Sequence, residues 1–98
     1  MELKLSFDQK HFHEWLMTQG LSKKAAGDNV SRCCRVEKDL NVNLSDAVSD
    51  EKSYLELFEK IHVYSINKSN SVPACYTLAG TLKYSVRKFA LSNMAMPQ

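Results

Sequence analysis

The sequence predicts an all-α protein, a single-domain bundle of four short helices with a fifth helical turn between the second and the third. Three observations predict it. Apolar side chains recur at three- and four-residue spacing through four stretches, the period of a helix with one buried face. Three Gly and two Pro are the only strong breakers in 98 residues, so those stretches run long. No two alternating apolar runs suggest a paired sheet, and a chain of this length holds one core.

Met1 to Leu5 reads as an arm that packs Leu3 and Leu5 on the first helix. Ser6 and Gln9 have capping-box spacing and open that helix over 7–19, with Phe12, Trp15 and Leu16 inward. Gly20 stands where a helix ends in the left-handed conformation, and Ser22 can cap the next one by accepting a backbone N–H. That second helix, 23–40, buries Ala26, Val30, Cys33, Val36 and Leu40, with Cys34 at the flank. It turns Lys24, Asp28, Ser31, Arg32, Arg35 and Lys38 outward, and Lys24 and Asp28 are spaced to pair.

Asn41-Val42-Asn43 is turn-forming, and Leu44, Ala47 and Val48 come next as one helical turn with Ser45 as its cap. Asp50 and Glu51 suit the positive end of a third long helix, whose inward residues are Tyr54, Leu55, Phe58 and Ile61. Residues 63–71 read as a polar connection inside the domain, where Lys68 could touch an anion. Ser71-Val72-Pro73 starts the last helix, 72–92, with Val72, Tyr76, Ala79, Leu82, Val86 and Phe89 as its buried stripe. Gly80 inside it costs about 1 kcal/mol relative to Ala, which a close helix crossing would offset. Asn93 to Gln98 reads as a frayed tail.

The totals narrow the function classes. A net charge of +2 is too small for a whole-protein field to draw in a polyanion, so binding would depend on local clusters. Cys33, Cys34 and Cys75 are odd in number and lack a C-x-x-C pair, which argues against a disulfide framework and against zinc. His11 and His13 lie two apart and face different sides of a helix, so they do not form a metal pair, and His62 stands far off. No apolar run reaches the ~18 residues of a membrane span, and no secretory leader is visible. The expectation is a soluble cytoplasmic protein without a cofactor, a metal or a small-molecule substrate.

The order Phe12-x-x-Trp15-Leu16, then Gly20-Leu21-Ser22, then a basic helix with Val30, Arg32, Arg35 and Val36, resembles the N-terminal SAM-like core-binding domain of tyrosine recombinases (phage integrases). The likeness runs from about Phe7 to Phe89. It implies a SAM-like bundle that packs helices across duplex DNA. Carried over, the DNA-binding residues would be Ser22, Lys23, Lys24, Arg32 and Arg35 on the second helix and Lys83, Tyr84, Arg87 and Lys88 on the last.

The residue chemistry is consistent with that role, since point charges, guanidinium forks and hydroxyls hold phosphates without reading sequence. The stretch from Cys75 to Gln98 has no acid at all. Asn29 could reach a base edge. The recombinase reaction itself would need a further catalytic domain, and Tyr54, Tyr64, Tyr76 and Tyr84 lack its Arg/His surroundings. No Ser/His/Asp set, P-loop or carboxylate pair offers another reaction, so the expectation is a non-enzymatic module. The alternative is a small helical protein-interaction module that docks on a recombinase or another protein without touching DNA.

Overall fold

The apolar spacing becomes five helices in a computed structural model that describes residues 7–95. They are α1 (Gln9–Thr18), α2 (Lys23–Leu40), α3 (Leu44–Ala47), α4 (Glu51–Lys68) and α5 (Val72–Ala95). The expected arm at 1–5 and positions 96–98 of the expected tail lie outside the described residues, among which there is no strand.

The punctuation between α1 and α2 forms as the sequence implies. Gly20 takes a φ of +95°, its N–H meets the Met17 carbonyl at 3.0 Å, and the Leu21 N–H reaches back to Leu16 at 3.3 Å. That double bond pattern satisfies two orphan carbonyls of α1 and turns the chain. Ser22 then caps α2, its Oγ accepting the Ala25 N–H at 3.1 Å. At the other end of α2, Asn41 adopts the left-handed region at φ 53°, which an Asn tolerates better than most side chains.

Other boundaries differ from expectation. Ser6 lies outside the described residues, and the cap of α1 is Asp8, whose carboxylate accepts the His11 N–H at 3.1 Å. A carboxylate answers the positive helix end better than a hydroxyl, so α1 starts at Gln9 rather than Phe7. Phe7 instead staples the entrance by packing its ring on Phe12, centroids 6.1 Å apart. Asn43, not Ser45, caps α3, accepting the Asp46 N–H at 2.9 Å. Helix α4 runs to Lys68 through the stretch expected to be a connection, because Ser65 returns its hydroxyl to the Ile61 carbonyl at 2.8 Å and packs inside. Only Ser69–Ser71 is left between α4 and α5. Residues 93–95 of the expected tail continue α5.

One cluster holds the bundle together: Phe12 and Leu16 of α1, Ala26, Val30, Cys33 and Val36 of α2, Leu44, Leu57 and Ile61, and Leu82, Val86 and Phe89 of α5. Helix α5 packs against α1, α2 and α4, and α2 against all four others. On α4 the buried position is Leu57, while Leu55 is out in solvent; the stripe runs Leu57–Ile61–Ser65 at four-residue steps. On α5 the frame through Ala79 brings Cys75 inward, and one residue on, about 100° round the helix, Tyr76 is turned out. Tyr76 and Val72 are 67% and 69% exposed, so the first turns of α5 present aromatic and apolar surface where burial was expected. No helix crosses at Gly80, where an added Cβ would meet nothing within 4 Å.

Two polar side chains of α2 are buried with their partners. Asn29 donates from Nδ2 to the Ala25 carbonyl at 2.9 Å and accepts the Ser85 hydroxyl at 2.8 Å. Glu37 accepts the Leu44 N–H at 2.8 Å, which fixes α3 on the end of α2.

Candidate nucleic-acid interface

The cations of α5 stand against aromatic rings. Lys83 and Arg87 lie one turn apart, and both lean over the Phe58 ring of α4, Nζ at 5.9 Å and Cζ at 5.3 Å from its centroid. Lys88 sits 5.5 Å from the centroid of Tyr84. Tyr84 and Lys88 each come one residue after their cationic neighbour, so the two rows run side by side along the helix, about 100° apart. None of the three cations has an acidic side chain within ion-pairing distance among the described residues. A ring face attracts a cation without cancelling its charge. The rings therefore bias where these cations stand, by about 0.5–1 kcal/mol each at an exposed site, and leave them positive.

The cations of α2 are placed differently. Arg35 donates from Nε to the Tyr64 hydroxyl at 3.0 Å, stacks over that ring at 5.6 Å and pairs with Asp39 at 3.7 Å. Tyr64 in turn donates to Asp39 at 2.7 Å, and Lys68 lies 5.9 Å from the same ring. That hydroxyl, followed by the Arg35 charge, holds the Asp39 carboxyl below its ordinary value. Removal from water and the bond to Asp39 together push the Tyr64 phenol up, so it stays a donor. Arg35 is thus partly neutralised on the spot.

Tyr64 and Phe58 stand on opposite flanks of the buried Leu57–Ile61–Ser65 stripe of α4. Arg35 consequently emerges at the seam of α2 with α4, and Lys83 and Arg87 at the seam of α4 with α5. Ser22, Lys23 and Lys24 form a third location at the start of α2, against α1, where His13 Nε2 is 3.3 Å from the Lys23 carbonyl oxygen. Lys24 is roughly 16 Å along the helix from Arg35, at 1.5 Å per residue. Arg32 is half-buried between them. The expected Lys24–Asp28 pair does not form within 4 Å. The structure brings Lys83, Tyr84, Arg87 and Lys88 together and leaves the α2 residues in separate places.

Asn29 drops out as a base reader, since it is 3% exposed and both ends of its amide are engaged inside the bundle. The anchoring roles of Phe58 and Tyr64 have no sequence signal, because nothing local in a helix tells which distant cation will cross its aromatic ring. Cys33 and Cys34 are held as thiols. Burial first, then the neighbouring Cys34 and Glu37, drives the Cys33 thiol far above its usual range, and burial also raises Cys34. Among the described residues no three His, Cys, Asp or Glu side chains stand together as a metal-holding group, and no helix is long and apolar enough to cross a membrane.

No family model, curated protein or solved structure matches this chain. The likeness to a recombinase core-binding domain rests on the residues that suggested it.

Proposed function

We propose that the protein is a non-catalytic DNA-binding module that holds duplex phosphates on the outer face of α5. One observation carries the reading: Lys83, Arg87 and Lys88 share a helix without a single acid from Val72 to Ala95, and no described carboxylate lies within ion-pairing distance of them. Asp50 and Glu51 come no nearer than the shared rim of a cavity with Arg87. Pre-placed cations lose less side-chain freedom when a phosphate arrives, and Tyr84 adds a hydroxyl to the same row. The α2 start, with Ser22, Lys23 and Lys24, supplies a second and smaller contact. The Ser22 oxygen serves its own helix, while its proton is available to an anion.

Fluorescence anisotropy with labelled duplex DNA at low and at physiological salt tests this. Binding should weaken steeply as salt rises, since each neutralised phosphate releases a counterion. Reversing Lys83, Arg87 and Lys88 to Glu together should abolish binding while circular dichroism stays helical, because none of the three is in the core. Unchanged affinity in that variant would move the contact away from α5.

Exposed Leu55, Val63 and Ile66 on α4 favour a second reading, a protein-docking surface. Absence of duplex binding even at low salt would put that reading first.

A further inference from the structure

Where α4 ends and α5 begins, a cleft of about 400 Å³ opens, lined among others by His62, Ile66, Asn70, Val72, Cys75 and Tyr76. Ile66, Val72 and Cys75 give it apolar surface, and His62, Ser69, Asn70 and Ser71 give it polar groups. The Tyr76 ring meets no other ring and no cation among the described residues, unlike Phe58, Tyr64 and Tyr84. Tyr76 is 67% exposed where it lines the cleft, so its ring face is open to a flat group.

Tyr76 stands seven residues before Lys83, two turns of α5, and so on the same side of the helix as the cationic rows. Tyr76, Gly80 and Tyr84 come at four-residue steps along one exposed line of α5. Gly80 has open space above it, so a strand can lie close to the helix between the two tyrosines. Tyr76 is roughly 12 Å from Tyr84 along the axis, at 1.5 Å per residue. Stacked bases in a duplex repeat at about 3.4 Å and cover each other's faces, so a base that reaches Tyr76 must come from a strand that is unpaired there. The positive rows repel a cationic peptide and suit a polyphosphate chain that carries flat apolar groups.

We propose that this cleft takes one unpaired nucleobase, stacked on Tyr76, from a strand whose phosphates lie along α5. The inference rests on the DNA-binding reading above and narrows its substrate to duplex ends, overhangs or junctions. Asn70 supplies a donor and an acceptor for the base edge, and the stacking on Tyr76 is open to any base, since every base has a flat face.

The test compares the full chain on three labelled DNAs: a blunt duplex, the same duplex with a short thymidine overhang, and that duplex with an abasic overhang of equal length. The thymidine overhang should bind about tenfold tighter than the abasic one, the scale of one stacked base. Tyr76→Ala should erase that gain and leave blunt-duplex affinity unchanged, while Tyr76→Phe should keep it. Equal affinity for thymidine and abasic overhangs, or a gain that survives Tyr76→Ala, overturns the inference. In either case the phosphate reading stands as long as reversal of Lys83, Arg87 and Lys88 removes blunt-duplex binding. Failure of every DNA to bind overturns both.

Discussion

Asn29 is where α2 and α5 agree their relative position. Its Nδ2 ties down the Ala25 carbonyl, its Oδ1 takes the Ser85 hydroxyl, and the Cys33 thiol one turn on reaches the Ser85 carbonyl at 3.4 Å. Ser85→Ala strands a buried amide oxygen and should cost about 1–3 kcal/mol, as should Asn29→Ala, which strands the Ser85 hydroxyl. In denaturant unfolding the double variant should cost clearly less than the two singles together, because the same bond is removed only once. The spacing already places Asn29 on the inward side, four residues before Cys33. Its polar identity argues for solvent, and only a partner on a distant helix reverses that argument. Glu37 is hidden in the same way, since the N–H it receives belongs to a different helix.

Helices themselves were largely legible, because their signals are local. Gly20, Ser22 and Asn41 mark ends by backbone conformation or by capping chemistry, and each does so in the structure, whereas Asp50, read as a first-turn acid, is the cap itself. The end of α4 was not, because Ser65 looks like a turn former until its hydroxyl folds back on its own helix. The rotational frame at the start of α5 was also ambiguous, as Cys75 and Tyr76 are both a helical step from Ala79. Gly80 remains a weak point with no packing reason to be Gly. Gly80→Ala should raise stability by about 0.5–1 kcal/mol, read as a higher melting temperature. A lower melting temperature would mean that something in the folded protein needs the space.

At the scale of the whole molecule, the gathering of charge was the least legible feature. Which cations share a surface depends on how α4 lies between α2 and α5, and no single stretch encodes that. Acid should act on the fold through Asp39 and Asp50, both held below the ordinary carboxylate value. Asp39 is held chiefly by the Tyr64 hydroxyl, and Asp50 by the Ser53 N–H and then the Ser53 hydroxyl. A depressed carboxyl favours the fold above its unfolded value, about 3.9, and that contribution is lost as pH falls through the folded value. Melting temperature should therefore decline below about pH 4, and Asp39→Asn with Asp50→Asn should flatten that decline. Both groups are at the surface, so the effect is small beside the core. The rings of Phe7, Phe12 and Phe89 set a different limit. Phe89 is 4.9 Å from Phe7 and 5.4 Å from Phe12, so the first turn of the first helix is bound to the last helix across nearly the whole described chain. Neighbouring helices can find each other early, but this contact closes the longest loop and bears the largest closure entropy. Three phenyl rings meeting there supply the apolar burial that offsets this closure entropy.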